Sequence, residues 1–289
     1  MLQLIDEALG EKIEEISPNT IRIYRWSLER FADWLRANGL RHDEVSRRQL
    51  LEWLNTYGWS QSTKHNAACA LRLFYRHLVG AENSPAEGVR IRRPQPRAQR
   101  TLTEDEVQRL LASLDTSTET GARNLSIITL MIDTGLRANE LCSLHVEHVN
   151  PLERTLDVRI KGGDWHRSVF GEYAASCLDT WLGVRRWVAG LGVPFLYVGI
   201  GGKTAGQKMT VTGLRATFYK LARKAGIPLF SPHALRRTYA TLATRYGEPK
   251  RTVQVNGGWK TPDMVDRYTM HIRPEDFRHF PSDHLMGLG

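Results

Sequence analysis

The amino-acid sequence predicts a mainly α protein in two parts: an N-terminal helical bundle, then a mostly helical α+β domain with a small antiparallel sheet. Three observations predict it. Apolar residues recur at spacings of three and four through the first 80 positions, which is the period of one helix face. A stretch rich in proline and arginine, "ENSPAEGVRIRRPQPRAQR", then breaks the pattern. Beyond it the helical period returns, except that "TLDVRIK" and "WHRSVF" alternate like strands around a "GGD" turn, the signal of a β-hairpin.

The elements follow in order. "MLQLIDEALGEKIEEI" is acidic and amphipathic where a secretory signal would be basic and then uniformly apolar, so it reads as a short surface helix. Residues 17–39 open with Ser, Pro, Asn and Thr and close at Gly39, with Ile21, Tyr24, Leu28, Phe31 and Leu35 on one stripe. Two more helices are expected over "SRRQLLEWLNTYG" and "QSTKHNAACALRLFYRHLVG", the latter with Ala70, Leu71, Phe74 and Leu78 in phase. Residues 1–86 thus form the first domain.

Residues 87–100 form the connector, with five arginines and no acid between Gly88 and Arg100. Proline fixes φ and removes a donor, so the segment is expected to be extended. Its charge serves either as a solvated tether or as a strap along phosphates. The second domain, 101–289, starts with "TLTEDEVQRLLASLD", in which Thr103 and Glu106 have capping-box spacing. An apolar helix over 123–134 ends at "DTGLRANEL", the hairpin follows, and helical patterns resume from 172, interrupted by a short strand candidate, "PFLYVG", and the glycine-rich "GIGGKTAGQK".

Composition bounds the function. The 289 residues are 41% hydrophobic, enough for two ordinary cores. Forty Lys and Arg against 31 Asp and Glu leave a formal charge of +9, which favours a polyanionic partner. Cys69, Cys142 and Cys177 are odd in number and far apart, so neither a disulfide framework nor a metal knuckle is expected, and a reducing cytosol fits. The most apolar run, "LSIITLMI" at 125–132, is far shorter than the roughly 20 residues that span a bilayer, and no membrane partner is expected.

Four places carry chemistry. In "SPHALRRTYATLATRYG", Ser231 is a suitable N-cap and Pro232 a suitable first helical residue, so His233 and Arg236 share a face close to the positive end of a helix, where an oxyanion would be gripped. Arg137, just after Gly135, is placed to emerge into a cleft, with Glu140 three residues on to pair with it and fix its fork. Lys161 sits at the hairpin tip, where a flexible amine suits a proton donor. "GGWKTPDMVDRYTMH" supplies Trp259 and, at the end of a short capped helix, Tyr268. Each has a plain alternative: a packing His and Arg, a structural Arg–Glu pair, a solvated lysine, a core tyrosine with a satisfied hydroxyl.

Taken in order, Arg137, Lys161, His233-x-x-Arg236, Trp259 and Tyr268 resemble the active-site series of the tyrosine recombinases, the family that includes phage integrases and the bacterial Xer proteins. The strings "TGLRANEL", "HALRRTYAT" and "VDRYTMH" resemble the family's as well. "SPNTIRIYRWSLERFADWL" resembles the first helix of its SAM-like core-binding domain, and "LTEDEVQRLL" the opening of its catalytic domain. Two departures stand out. Gly258-Trp259 replaces the commoner Gly-His, and "KGGDWHRS" lacks the second lysine frequent in relatives.

The resemblance implies a site-specific DNA recombinase that cleaves and rejoins duplex DNA through a 3′-phosphotyrosine at Tyr268, and a phage or mobile-element integrase in particular. Arg137 and Arg236 would hold the non-bridging oxygens, His233 would accept the tyrosine proton, Lys161 would protonate the leaving oxygen, and Trp259 would donate a bond and pack the site. Neither metal nor other cofactor is implied, because arginines replace the divalent ion. It further implies a homotetramer working through a Holliday junction in the bacterial cytosol, with accessory DNA-bending or directionality factors possible, and a two-domain form lacking an arm-site-binding domain. A Xer-type chromosome-dimer resolvase, a type IB topoisomerase and a DNA-binding protein that has lost the chemistry are the alternatives.

Overall fold

The structure, a computed structural model, describes residues 1–92, 100–160 and 163–269, without the side chains of 267–269. The chain divides into two compact units, Met1–Gln95 and Pro96–Gly289.

The first unit is four helices: α1 (Leu2–Gly10), α2 (Pro18–Ala37), α3 (Arg47–Thr56) and α4 (Gln61–Val79). Serines start the last three. The side chains of Ser17, Ser46 and Ser60 each accept the backbone N–H three residues on, and Gln49 closes a capping box with Ser46, so orphan donors are satisfied locally. Ala67, Ala68 and Ala70 line the buried face of α4, and such small side chains let α2 approach closely. Between them Phe31, Trp53 and Phe74 are fully buried, with Trp53 edge-on to Phe31 at 5.0 Å in the geometry aromatic pairs prefer. The expected surface helix, α1, instead sinks Ile5, Ala8 and Leu9 into this core.

The connector also departs from a plain tether. Val89 is fully buried in the first core, as is Ala86 just before the connector, and Arg72 Nη1 donates to the Val89 carbonyl at 2.9 Å. At its far end Arg100 donates to Glu106 at 3.1 Å and to the Pro228 carbonyl, while its own carbonyl accepts Arg237 Nε at 2.9 Å. The middle of the connector, 93–99, lies outside the described residues.

The second unit begins with α5 (Glu104–Ala112), opened by the Thr103–Glu106 capping box. Helix α6 (Glu119–Thr134) starts earlier than its apolar run, at a Thr118 cap, and is buried along most of its length. After α7 (Ala138–Ser143) come β1 (Val149–Asn150), β2 (Thr155–Arg159) and β3 (Trp165–Val169), an antiparallel sheet in the order β1-β2-β3. Leu156 and Val158 face the core, and the alternate Asp157 pairs across the strands with Arg167 at 2.7 Å. That alternation is what marks the strands in the sequence.

Helix α8 (Glu172–Val188) packs on α6, and α9 (Val211–Lys224), α10 (Pro232–Arg245), α11 (Lys250–Asn256) and α12 (Asp263–Thr269) complete the unit. The "PFLYVG" segment forms isolated bridges, Phe195 with His145 and Val198 with Lys208, and no named strand; its neighbours are loops, so no ladder can extend. No helix among the described residues is long and apolar enough to cross a membrane.

Candidate active site

Helix α10 is the centre of the site. Pro232 occupies its first position, while Ser231 takes the N-cap place without a side-chain cap bond. The helix therefore starts from proline's fixed φ rather than from the cap that the sequence leads one to expect. Arg236 is 1% exposed. Its Nη1 donates to the carbonyl of Gly135, the left-handed C-cap of α6. Glycine is required there, because φ is +62° and a Cβ would meet the Tyr239 ring at 2.5 Å.

Two residues further along the chain from Gly135, Arg137 is the N-cap residue of α7. Its side chain donates to Glu140 Oε1 at 2.6 Å and its backbone N–H to Oε2 at 2.7 Å. The same Oε2 lies 3.9 Å from Arg236 Nη1. Glu140 is thus buried between two guanidiniums, one sealed and one a third exposed. A single carboxylate bonds one guanidinium, lies within ion-pair distance of the other, and leaves the group net cationic.

Trp259 is buried, and the guanidinium of Arg236 lies 4.2 Å from the centre of its ring, a cation–π contact that closes that face of the arginine. Its other support is Tyr239, stacked 5.8 Å away. Trp259 is thus packed between Arg236 and Tyr239.

His233, at the start of α10, keeps an exposed edge. Partial burial, then the charges of Arg237, Arg236 and Arg137, lower its pKa from the usual 6.5 to about 4. Because that edge still reaches water, the three guanidiniums are the firmer cause. The ring is neutral at pH 7 and can accept a proton. Folding binds it less readily to protons than the unfolded chain does, so its contribution to stability is complete above about 6.5 and lost as pH falls towards 4.

Residue 268 lies in the last full turn of α12. That helix is seated through Val265, fully buried in one cluster with Tyr239, Val253 and Trp259, and tied to α11 by a Lys250–Asp266 ion pair at 2.5 Å. The phenol itself is not among the described side chains. Lys161 lies outside the described residues; the hairpin turn around it is held by Ile160 N–H to Asp164 O at 2.9 Å and Gly163 N–H to Ile160 O at 3.0 Å. Arg137, His233, Arg236 and Trp259 are brought together.

Three further residues shape the site. Gly135 supplies the carbonyl on Arg236, Tyr239 backs Trp259, and Asn256 ends α11 with bonds to β3 and α6. "DTGLR" contains a glycine signal; nothing in "VQVNGGW" marks Asn256. Among the described residues the one grouping of metal-ligating side chains is His145, Glu147 and His148, with ligand atoms within 4.8 Å of one another; its carboxylate is exposed, 3.4 Å from His145.

Comparison with known proteins adds the following. Residues 100–285 match the phage integrase family and residues 11–82 its N-terminal SAM-like domain. The chain is 29% identical over 282 residues to the tyrosine recombinase XerD of Vibrio cholerae, covering 93% of this chain and 91% of that one. It is 30% identical over 270 residues to the tyrosine recombinase XerC of Bacillus pumilus, covering 90% and 88%. Among solved structures, XerH site-specific recombinase bound to a palindromic difH substrate, a post-cleavage complex, aligns with TM-score 0.78 at 18% identity over 99% of this chain and 95% of that one.

Proposed function

The chain belongs to the phage integrase family of tyrosine recombinases, and from that premise we propose the following reaction and assign its residues. The protein is a site-specific recombinase acting on DNA, in line with its relatives. The phenolic oxygen of Tyr268 attacks the scissile phosphorus while the bond to the 5′-oxygen breaks. The products are a 3′-phosphotyrosine and a free 5′-hydroxyl, and the covalent route splits one hard displacement into two easier ones. Neutral His233 takes the phenolic proton, and Lys161 gives one to the departing oxygen. Arg137 and Arg236 hold the non-bridging oxygens and stabilise the charge that builds on them.

The observation that carries this reading is Glu140 lying between both guanidiniums, at 2.6 and 3.9 Å, beside an imidazole whose pKa is lowered by burial and by the charges of Arg237, Arg236 and Arg137. A tetrahedral oxyanion suits such an array because fixed cationic groups held in place by Glu140 and the Gly135 carbonyl need little reorganisation. Binding to the duplex is expected to weaken steeply with salt, given the +9 charge. We further propose a homotetramer on paired sites in the bacterial cytosol, consistent with three unpaired cysteines.

Integration or excision of a mobile element is the first task we assign. The second reading, resolution of chromosome dimers, is favoured by the XerC and XerD relatives matched over nine-tenths of the chain. Sequencing the DNA trapped covalently on the protein in cells separates the two, since the site lies either at the ends of a mobile element or in the chromosome outside one. The chemistry is tested with a nicked duplex bearing that sequence. Wild-type protein forms a covalent adduct, and Tyr268→Phe binds the duplex without forming one. An adduct on the Phe variant would remove Tyr268 as the nucleophile.

A further inference from the structure

We propose that Asn256 is a positioning residue that fixes the base of the β2–β3 hairpin, which in sequence carries the proposed proton donor, against the end of α6 and the loop that leads to Trp259. Among the described residues the sheet order leaves the outer edge of β3 without a strand partner. Asn256 fills that place with a side chain. Its Oδ1 accepts the Val169 N–H at 2.7 Å and its Nδ2 donates to the Val169 carbonyl at 3.2 Å, the two bonds a neighbouring peptide would make. The reversed amide would set its NH2 against an N–H, so the network settles its orientation.

The remaining bonds reach the end of α6 and the rest of β3. Nδ2 also donates to the Asp133 carbonyl at 3.1 Å, two residues before the Gly135 carbonyl that holds Arg236. Ser168 Oγ donates to Oδ1 at 2.8 Å, and His166 Nε2 and Ser168 Oγ both reach the Asn256 carbonyl, at 3.1 and 2.9 Å. Asn256 is followed directly by the Gly257-Gly258-Trp259 loop. A Cβ on Gly258, at φ +62°, would sit 3.1 Å from the His166 ring, so loop and strand are in close contact.

A two-stranded hairpin projecting from a short sheet can pivot about its base. Pinning Ser168 and Val169 removes that freedom at the end opposite the tip, and a misplacement of about 1 Å in a reacting group can lower a rate by about 100-fold. A cavity of about 480 Å³, lined by Asp133, Val169 and Asn256 among others, adjoins the amide. Water can therefore meet the backbone groups that a truncation would uncover, and the fold survives it.

The inference rests on Lys161 being the proton donor, and the test separates the two. The nicked duplex is made with either its natural scissile phosphodiester or a bridging sulfur in place of the 5′-oxygen. With sulfur, the phenolic oxygen–phosphorus bond forms and the phosphorus–sulfur bond breaks with its electron pair on sulfur. The thiolate leaves without a proton because its conjugate acid has a pKa of about 8.5.

Asn256→Ala is expected to cleave the diester about 10–100-fold more slowly than wild type and the sulfur substrate within about threefold of it, as is Lys161→Ala. Asn256→Asp keeps the acceptor and loses both donor bonds, and is expected to follow Ala. Rescued cleavage by the same variant shows that it is folded. If Lys161→Ala is rescued and Asn256→Ala stays slow on both substrates, or never slows on the diester, Asn256 does not act through the hairpin. If Lys161→Ala is itself not rescued, the proton-donor assignment fails and the inference falls with it.

Discussion

The N-terminal unit is built around Phe31, Trp53 and Phe74, fully buried and apolar, whereas the C-terminal unit seals Arg236, Arg237, Glu106 and Glu140 among its helices, each less than a tenth exposed. Apolar burial is non-directional and stabilises by about 25 cal/mol per Å². Burying a charge costs several kcal/mol unless its partners are well placed. The first unit therefore gains stability from its core, and the second gives some up to keep charged groups from rearranging. The difference marks where the chemistry is.

Substitutions can break that division or sharpen it. Trp53→Ala is expected to have the largest effect on folding, about 3–5 kcal/mol by urea denaturation, with cleavage by DNA-saturated protein nearly unchanged below the new midpoint. A matching loss of saturated cleavage would break the division. Arg236→Lys is expected to do the reverse. It keeps the charge and loses the fork, so single-turnover cleavage falls by about 10²–10³-fold with a smaller change in stability. Gly135→Ala lies between. Strain at φ +62° and the collision with Tyr239 cost about 1–3 kcal/mol, and cleavage falls as well, because the same residue's carbonyl holds Arg236.

Local signals account for what the sequence reveals. Ser17, Ser46, Ser60 and Thr103 start helices because caps act over three residues. The strand alternation at Leu156 and Val158 shows for the same reason. The spacing of His233 and Arg236 is likewise a helix property. Long-range partners leave no such trace. Val169 and Asn256 are 87 positions apart, Gly135 and Arg236 101, and neither pairing has a spacing that a chain of this length could advertise. Burial of Val89 was hidden by the arginines and prolines around it, and the 194–199 segment has strand composition but only single bridges to pair with.

The account depends most on Arg137, Arg236 and His233 forming one seat for a single phosphate. Titrating the ring of His233 by NMR, alone and with the nicked duplex, measures this in place. Free protein is expected to titrate near 4, and bound phosphate, by offsetting the guanidinium charges, to raise that value toward or past the ordinary 6.5. A pKa that stays the same with and without the duplex would mean that no phosphate enters between the two arginines.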